Sequence, residues 1–100
     1  MIKHIVLWTL HDNAEGNNKE HNAQLAKERL EALKLSIPEI IEIEVGIQLI
    51  GNTNTADMAL YSSFADEAAL KRYQAHPDHQ GVLPFIGAIT SGRHVIDYSI

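Results

Sequence analysis

Cysteine is absent from this 100-residue chain, which excludes disulfide bonds and thiolate metal sites and fits a reducing, cytoplasmic setting. Proline is scarce, at three residues, so each one marks a place where helical hydrogen bonding must stop or bend. Basic residues are few and dispersed, eight against thirteen acidic ones for a net charge of −5. A nucleic-acid surface is excluded on that ground, because no Lys/Arg cluster exists to displace counterions from phosphates. No apolar run approaches the ~18 residues of a membrane span, and the start Met1 to Leu7 lacks the features of a signal peptide. The chain is expected to be soluble, unexported and without a membrane partner.

What is present is a 45% hydrophobic content, enough for the core of one domain over residues 1–100. Residues Ile2 to Leu10 alternate with the period of a strand, Ile2, His4, Val6, Trp8 and Leu10 on one face and Lys3, Ile5, Leu7 and Thr9 on the other. Both faces are largely apolar, so helices are expected over one and a second copy of the chain over the other. His11 to Asn18 is polar and turn-rich and reads as a loop. From Lys19 to Ser36 the apolar positions Ala23, Ala26, Leu30, Leu33 and Ile37 recur at helical spacing, and Ile37-Pro38 ends the helix.

A second strand is expected over Ile40 to Ile50, with Ile41, Ile43, Val45, Ile47 and Leu49 opposite Glu42, Glu44, Gly46 and Gln48. Gly51 to Thr55 reads as a turn-rich connection and Asp57 to Phe64 as a third strand. Ala65-Asp66-Glu67 opens a short helix on which Leu70 and Tyr73 share a face. Pro77 then forces a break, with Asp78 the expected N-cap of a third helix whose buried stripe is His79, Val82, Phe85, Ile86 and Ile89. Pro84 is expected to be tolerable only near the first turn, Ser91-Gly92 stops the helix, and Arg93 to Ser99 reads as a last strand. The order β-α-β-β-α(α)-β is the ferredoxin-like α+β arrangement, and its uncovered sheet face predicts a homodimer.

The corner Tyr73-Gln74-Ala75-His76-Pro77-Asp78-His79 carries the chemistry. An imidazole suits proton abstraction near neutral pH, and a phenol can hydrogen-bond a carbonyl oxygen as negative charge develops on it. His79 is the candidate general base, Tyr73 the candidate oxyanion donor, and His4 an orienting or polarising group, with Trp8, Phe85 and Ile86 lining a small apolar pocket. A structural alternative stands beside each role. His79 can cap helix ends, Tyr73 can be a core aromatic, and His4 a hydrogen-bonded core histidine. His76 is assigned to the end of the helix before it. His76 and His79 have H-x-x-H spacing, but two imidazoles across a proline do not make a zinc site, so no metal and no cofactor are expected. Glu42 and Glu44 read as a solvated strand face, and His11, His21 and His94 are given no role.

The opening Ile2-Lys3-His4-Ile5-Val6-Leu7, the joint Ile37-Pro38-Glu39-Ile40, the step Glu44-Val45-Gly46, the Tyr73 to His79 corner and the closing Val95-Ile96-Asp97-Tyr98 together resemble the stress-responsive dimeric α/β barrel (Dabb) family. The resemblance covers essentially the whole chain, and its most specific element is the His-Pro-x-His corner after a tyrosine. It implies a dimeric α+β barrel of ferredoxin-like protomers. Some members resemble polyketide cyclases that close a linear polyketide by cofactor-free aldol chemistry, and plant members are linked to stress tolerance. In the cyclising members the resemblance implies catalytic roles for His79 and Tyr73, with His4 in the same cavity. A further cavity histidine of such enzymes falls at about Met58 here, which makes Met58 a candidate lining residue. Three functions stay open: proton-transfer or cyclisation chemistry on a small hydrophobic or polyketide-like ligand, a non-catalytic binding or structural role, and a cofactor-free monooxygenase on a similar barrel. An open pocket reached by Tyr73 and His79 favours ligand chemistry, whereas filled space favours the structural role.

Overall fold

The computed structural model describes residues 1–48 and 55–100. Strand β1 (Ile2–Leu10) is followed by a two-residue-per-strand hairpin, β2 (Asn13–Ala14) and β3 (Asn17–Asn18), then helix α1 (Lys19–Ala32) with a 3₁₀ turn at Leu33–Leu35. Strands β4 (Glu42–Ile47) and β5 (Met58–Phe64), helices α2 (Glu67–Ala75) and α3 (Pro77–Ile89), and strand β6 (Thr90–Ser99) complete the chain. The four long strands form one antiparallel sheet in the order β4-β5-β1-β6, the ferredoxin-like α+β fold expected from the sequence. The expected Leu49, Ile50 and the Gly51 to Asn54 connection lie outside the described residues.

The alternation in β1 sorts its residues onto two faces, and the helices cover one of them. His4, Val6, Trp8 and Leu10 are buried beneath the helices, and across the ladder they meet Leu60 and Met58 of β5. Val45 and Phe64 extend the same inner layer. The α1 stripe Ala23, Ala26, Leu30 and Leu33, continued by Ile37, is buried against it, as the helical spacing predicts.

Two features of α1 organise its surroundings. Its N-cap is Asn18, whose side chain accepts from the His21 N–H at 2.9 Å. Its Lys27 and Glu31, one turn apart, pair at 2.7 Å and together reach the outer edge of β4. There Lys27 Nζ donates to the Val45 carbonyl at 2.7 Å and Glu31 accepts from the Val45 N–H at 2.9 Å. Lys34 donates to the Ile41 carbonyl on the same edge. Burial alone raises the Glu31 carboxyl, but the Lys27 and Val45 bonds outweigh it, and the net effect lies below the usual glutamate value.

Four expectations need correction. The segment before α1 is not a plain loop: Glu15 and Gly16 both take positive φ, 53° and 77°, and close the β2-β3 hairpin. Asn22, buried in α1, anchors this hairpin by donating to the Ala14 carbonyl at 2.9 Å. The N-cap of α3 is His76 rather than Asp78, because the His76 Nδ1 accepts from the Asp78 N–H at 3.0 Å while Pro77 fills the first helical position. His76 also closes α2, its N–H donating to the Tyr73 carbonyl at 3.1 Å, so one residue serves both helices as the proline break requires. Pro84 sits well inside α3 without ending it. It and Gln80, whose carbonyl loses its helical donor, are both solvent-exposed residues. The helix stops at Thr90, not at Ser91-Gly92, with the Thr90 hydroxyl bonded back to the Ile86 carbonyl at 2.8 Å.

Candidate functional site

Tyr73 leaves the last turn of α2 and His79 the first turn of α3, and the tight joint at His76-Pro77 folds their rings onto one another with centroids 4.5 Å apart. Phe64 packs on the other side of Tyr73 at 4.9 Å. His4, on the inner face of β1, approaches the Tyr73 ring edge-on at 6.3 Å. The three candidate groups therefore meet, although they come from a strand, a helix end and a helix start.

Beside them lies a cavity of about 420 Å³ between sheet and helices. Its walls include His4, Trp8, Tyr73, His79, Ile86 and Arg93. A volume of this size is within the usual range for small-molecule sites. Of the residues expected to line a pocket, Met58 and Phe85 do not line this one. Met58 is buried on the inner layer farther along β5, where Leu60 takes the wall position. Phe85 turns toward Arg29, whose guanidinium lies 4.2 Å from its ring centre.

The protonation pattern follows from hydrogen-bond partners. A carbonyl oxygen only accepts, so the 3.1 Å contact between His79 Nδ1 and the Gln74 carbonyl puts the ring proton on Nδ1 and leaves Nε2 a lone pair in the neutral form. Burial pushes His79 below the ordinary histidine value of 6.5; the Gln74 bond opposes this, and the charges of His4 and Arg93 act with the burial. The Tyr73 hydroxyl is pushed by burial up to about 12 and stays protonated at neutral pH. It has no hydrogen-bond partner among the described residues. His4 is 5% exposed, and its Nδ1 is bonded to the Asp97 carboxylate, which fixes that ring's tautomer in the same way.

Sequence reasoning missed three participants. Asp97 and Arg93 stand opposite His4 and Trp8 across the β1-β6 ladder, a register that neither strand's own alternation reveals. Gln74 acts through its backbone carbonyl, which no side-chain pattern records. The Trp8 indole N–H is buried with no partner, at a cost of about 1–3 kcal/mol for such a group. Among the described residues no cluster of metal-ligating side chains is present.

The model of the stress responsive A/B barrel domain family matches residues 2–100. The chain belongs to that family. A Dabb family protein from Mesorhizobium loti with a ferredoxin-like fold superposes with a TM-score of 0.72 at 24% identity, covering 99% of this chain and 95% of that one. A dimeric protein of unknown function and ferredoxin-like fold from Bacteroides fragilis is 33% identical with a TM-score of 0.88, again over 99% of this chain and 95% of the other. A dimeric ferredoxin-like protein of unknown function from Thermobifida fusca reaches 0.84 at 24% identity over 99% and 90%. No curated protein matches the sequence. The A/B barrel assignment agrees with the sheet order and helix placement, and it leaves the chemistry of the cavity to be argued from its residues.

Proposed function

We propose that this A/B barrel domain binds a small, largely apolar carbonyl compound in the cavity and catalyses proton transfer next to its carbonyl, with intramolecular ring closure where a second carbonyl is in reach. The observation that carries the reading is the pairing of His79, a neutral imidazole with its Nε2 lone pair free, with the protonated and unpartnered Tyr73 hydroxyl in one cavity. His79 Nε2 removes a proton from the carbon beside the carbonyl, and the Tyr73 hydroxyl donates to the oxygen as it gains negative charge. The enolate carbon then bonds to the second carbonyl carbon, whose oxygen takes the proton back from the His79 imidazolium. Only protons and one carbon–carbon bond change, so the step is balanced without an electron acceptor. His4, held by Asp97, orients or polarises the ligand.

The assembly that fits this reading is a homodimer formed through the outer sheet face, where Leu7, Ile96 and Tyr98 are exposed on neighbouring strands. Two relatives described as dimeric support it.

The test is exchange of the α-protons of benzylacetone in heavy water, followed by NMR. The native protein accelerates exchange, and its kcat/KM climbs with pH through the lowered His79 value to a plateau. Tyr73→Phe and His79→Ala each lose roughly 100-fold or more. Unchanged exchange in His79→Ala overturns the reading.

A further inference from the structure

The catalytic corner occupies one end of the cavity, and the other end has a distinct character. Trp8 and Arg93 are directly opposed across the β1-β6 ladder, and both line the cavity. The indole N–H of Trp8 is buried without a partner. Arg93 is exposed at the mouth and has no ion pair or hydrogen bond among the described residues. Among the described residues no aspartate or glutamate lines this cavity, although the chain as a whole carries a charge of −5. Two donors without a partner, one of them a permanent cation, thus sit on opposed residues of one recess in an acidic protein.

From this juxtaposition we infer that the cavity selects an amphiphilic organic anion, whose acid head is held between Trp8 Nε1 and the Arg93 guanidinium. The inference rests on the reading of this cavity as the ligand site and adds the charge class of the ligand. A carboxylate supplies the acceptors both donors lack, and a guanidinium fork matches its planar geometry. Trp8 lies four residues along the strand from His4, a span of roughly 13 Å at the rise of a strand. An acid head at Trp8 therefore leaves the body of the ligand along Leu60 and Ile86, with its far end near Tyr73 and His79. At the other end the His4 ring is already bonded to the Asp97 carboxylate, which opposes an acid head there.

Octanoate and octanol test the inference, because they share a chain and differ in the head. Trp8 is the only tryptophan, so its emission reports occupancy directly, and calorimetry gives the affinity. The native protein is expected to bind octanoate at least tenfold more tightly than octanol, with the advantage shrinking as salt rises. Arg93→Gln reduces octanoate to the affinity of octanol and leaves octanol unchanged, Arg93→Lys restores part of the difference, and Trp8→Phe weakens octanoate several-fold by calorimetry. His79→Gln, which disables proton exchange, keeps the preference. Equal binding of the two probes by the native protein, or an octanoate affinity indifferent to Arg93→Gln, overturns the anion preference while the proton-transfer reading survives through octanol binding. Absence of heat and of any emission change with either probe overturns both.

Discussion

The two faces of β1 carry similar apolar residues, yet the fold treats them differently. On the inner face His4, Val6, Trp8 and Leu10 are buried under the helices. On the outer face Leu7 remains 40% exposed, beside Ile96 of β6 at 57%. Hydrophobicity along the strand therefore does not tell which side the chain covers itself. The difference comes from the connections: α1, α2 and α3 all return over the same side of the sheet, and among the described residues no helix covers the other. The inner face also holds two buried polar residues with fixed partners: His4 is bonded to Asp97, and the Ser62 hydroxyl donates to the His4 carbonyl at 2.9 Å.

The largest expected effect of breaking this contrast is on the inner side. Phe64 is fully buried against Tyr73, and Phe64→Ala should cost about 3–5 kcal/mol in urea unfolding. On the outer side Leu7→Asp should leave the protomer's secondary structure intact by circular dichroism but convert the proposed dimer to monomer in light scattering; a native protein that is itself monomeric refutes the outer-face interface. At the β4 edge Glu31→Ala removes the acceptor for the Val45 N–H and the partner of Lys27, and should cost about 1–2 kcal/mol. Because the folded Glu31 value is below its unfolded one, that contribution is complete above about pH 4.3 and is lost as pH falls through the folded value, so the variant should show a flatter stability curve in acid. His79 works in the same sense at higher pH. Its folded value is also lowered, so its contribution is complete above about pH 6.5 and falls away below, and His79→Gln should remove that slope from urea midpoints measured between about pH 7.5 and 5. The smallest effect is expected at the surface pair of Arg72 and Glu39, where Arg72→Ala should leave the urea midpoint nearly unchanged.

The architecture was legible because its signals are local. Alternation divided β1 into two faces, three- and four-residue spacing set the buried stripe of α1, and Pro77 set the break between α2 and α3. The corner itself was also legible, since Tyr73, His76 and His79 are close along the chain. Asp97 and Arg93 were not, because their place depends on strand register. Asp97 reaches His4, and Arg93 reaches Trp8, across 93 and 85 residues of sequence, as the β1-β6 pairing dictates. The N-cap of α3 was misassigned for a chemical reason. An imidazole nitrogen without a proton accepts from a backbone N–H much as a carboxylate does, and His76 lies one residue nearer the break than Asp78. Pro84 was misjudged because the penalty for a proline inside a helix depends on whether water reaches the carbonyl it orphans, and periodicity carries no information on that.

The bonds from Lys27 and Glu31 to Val45 have a consequence for self-association. A free strand edge is a template on which another chain can add, and sheets that add at both ends grow into fibres. At the centre of β4 that template is already occupied by the chain's own helix, so a newcomer must first displace an ion pair. Strand addition along β4 is thereby opposed at Val45, in the middle of the edge.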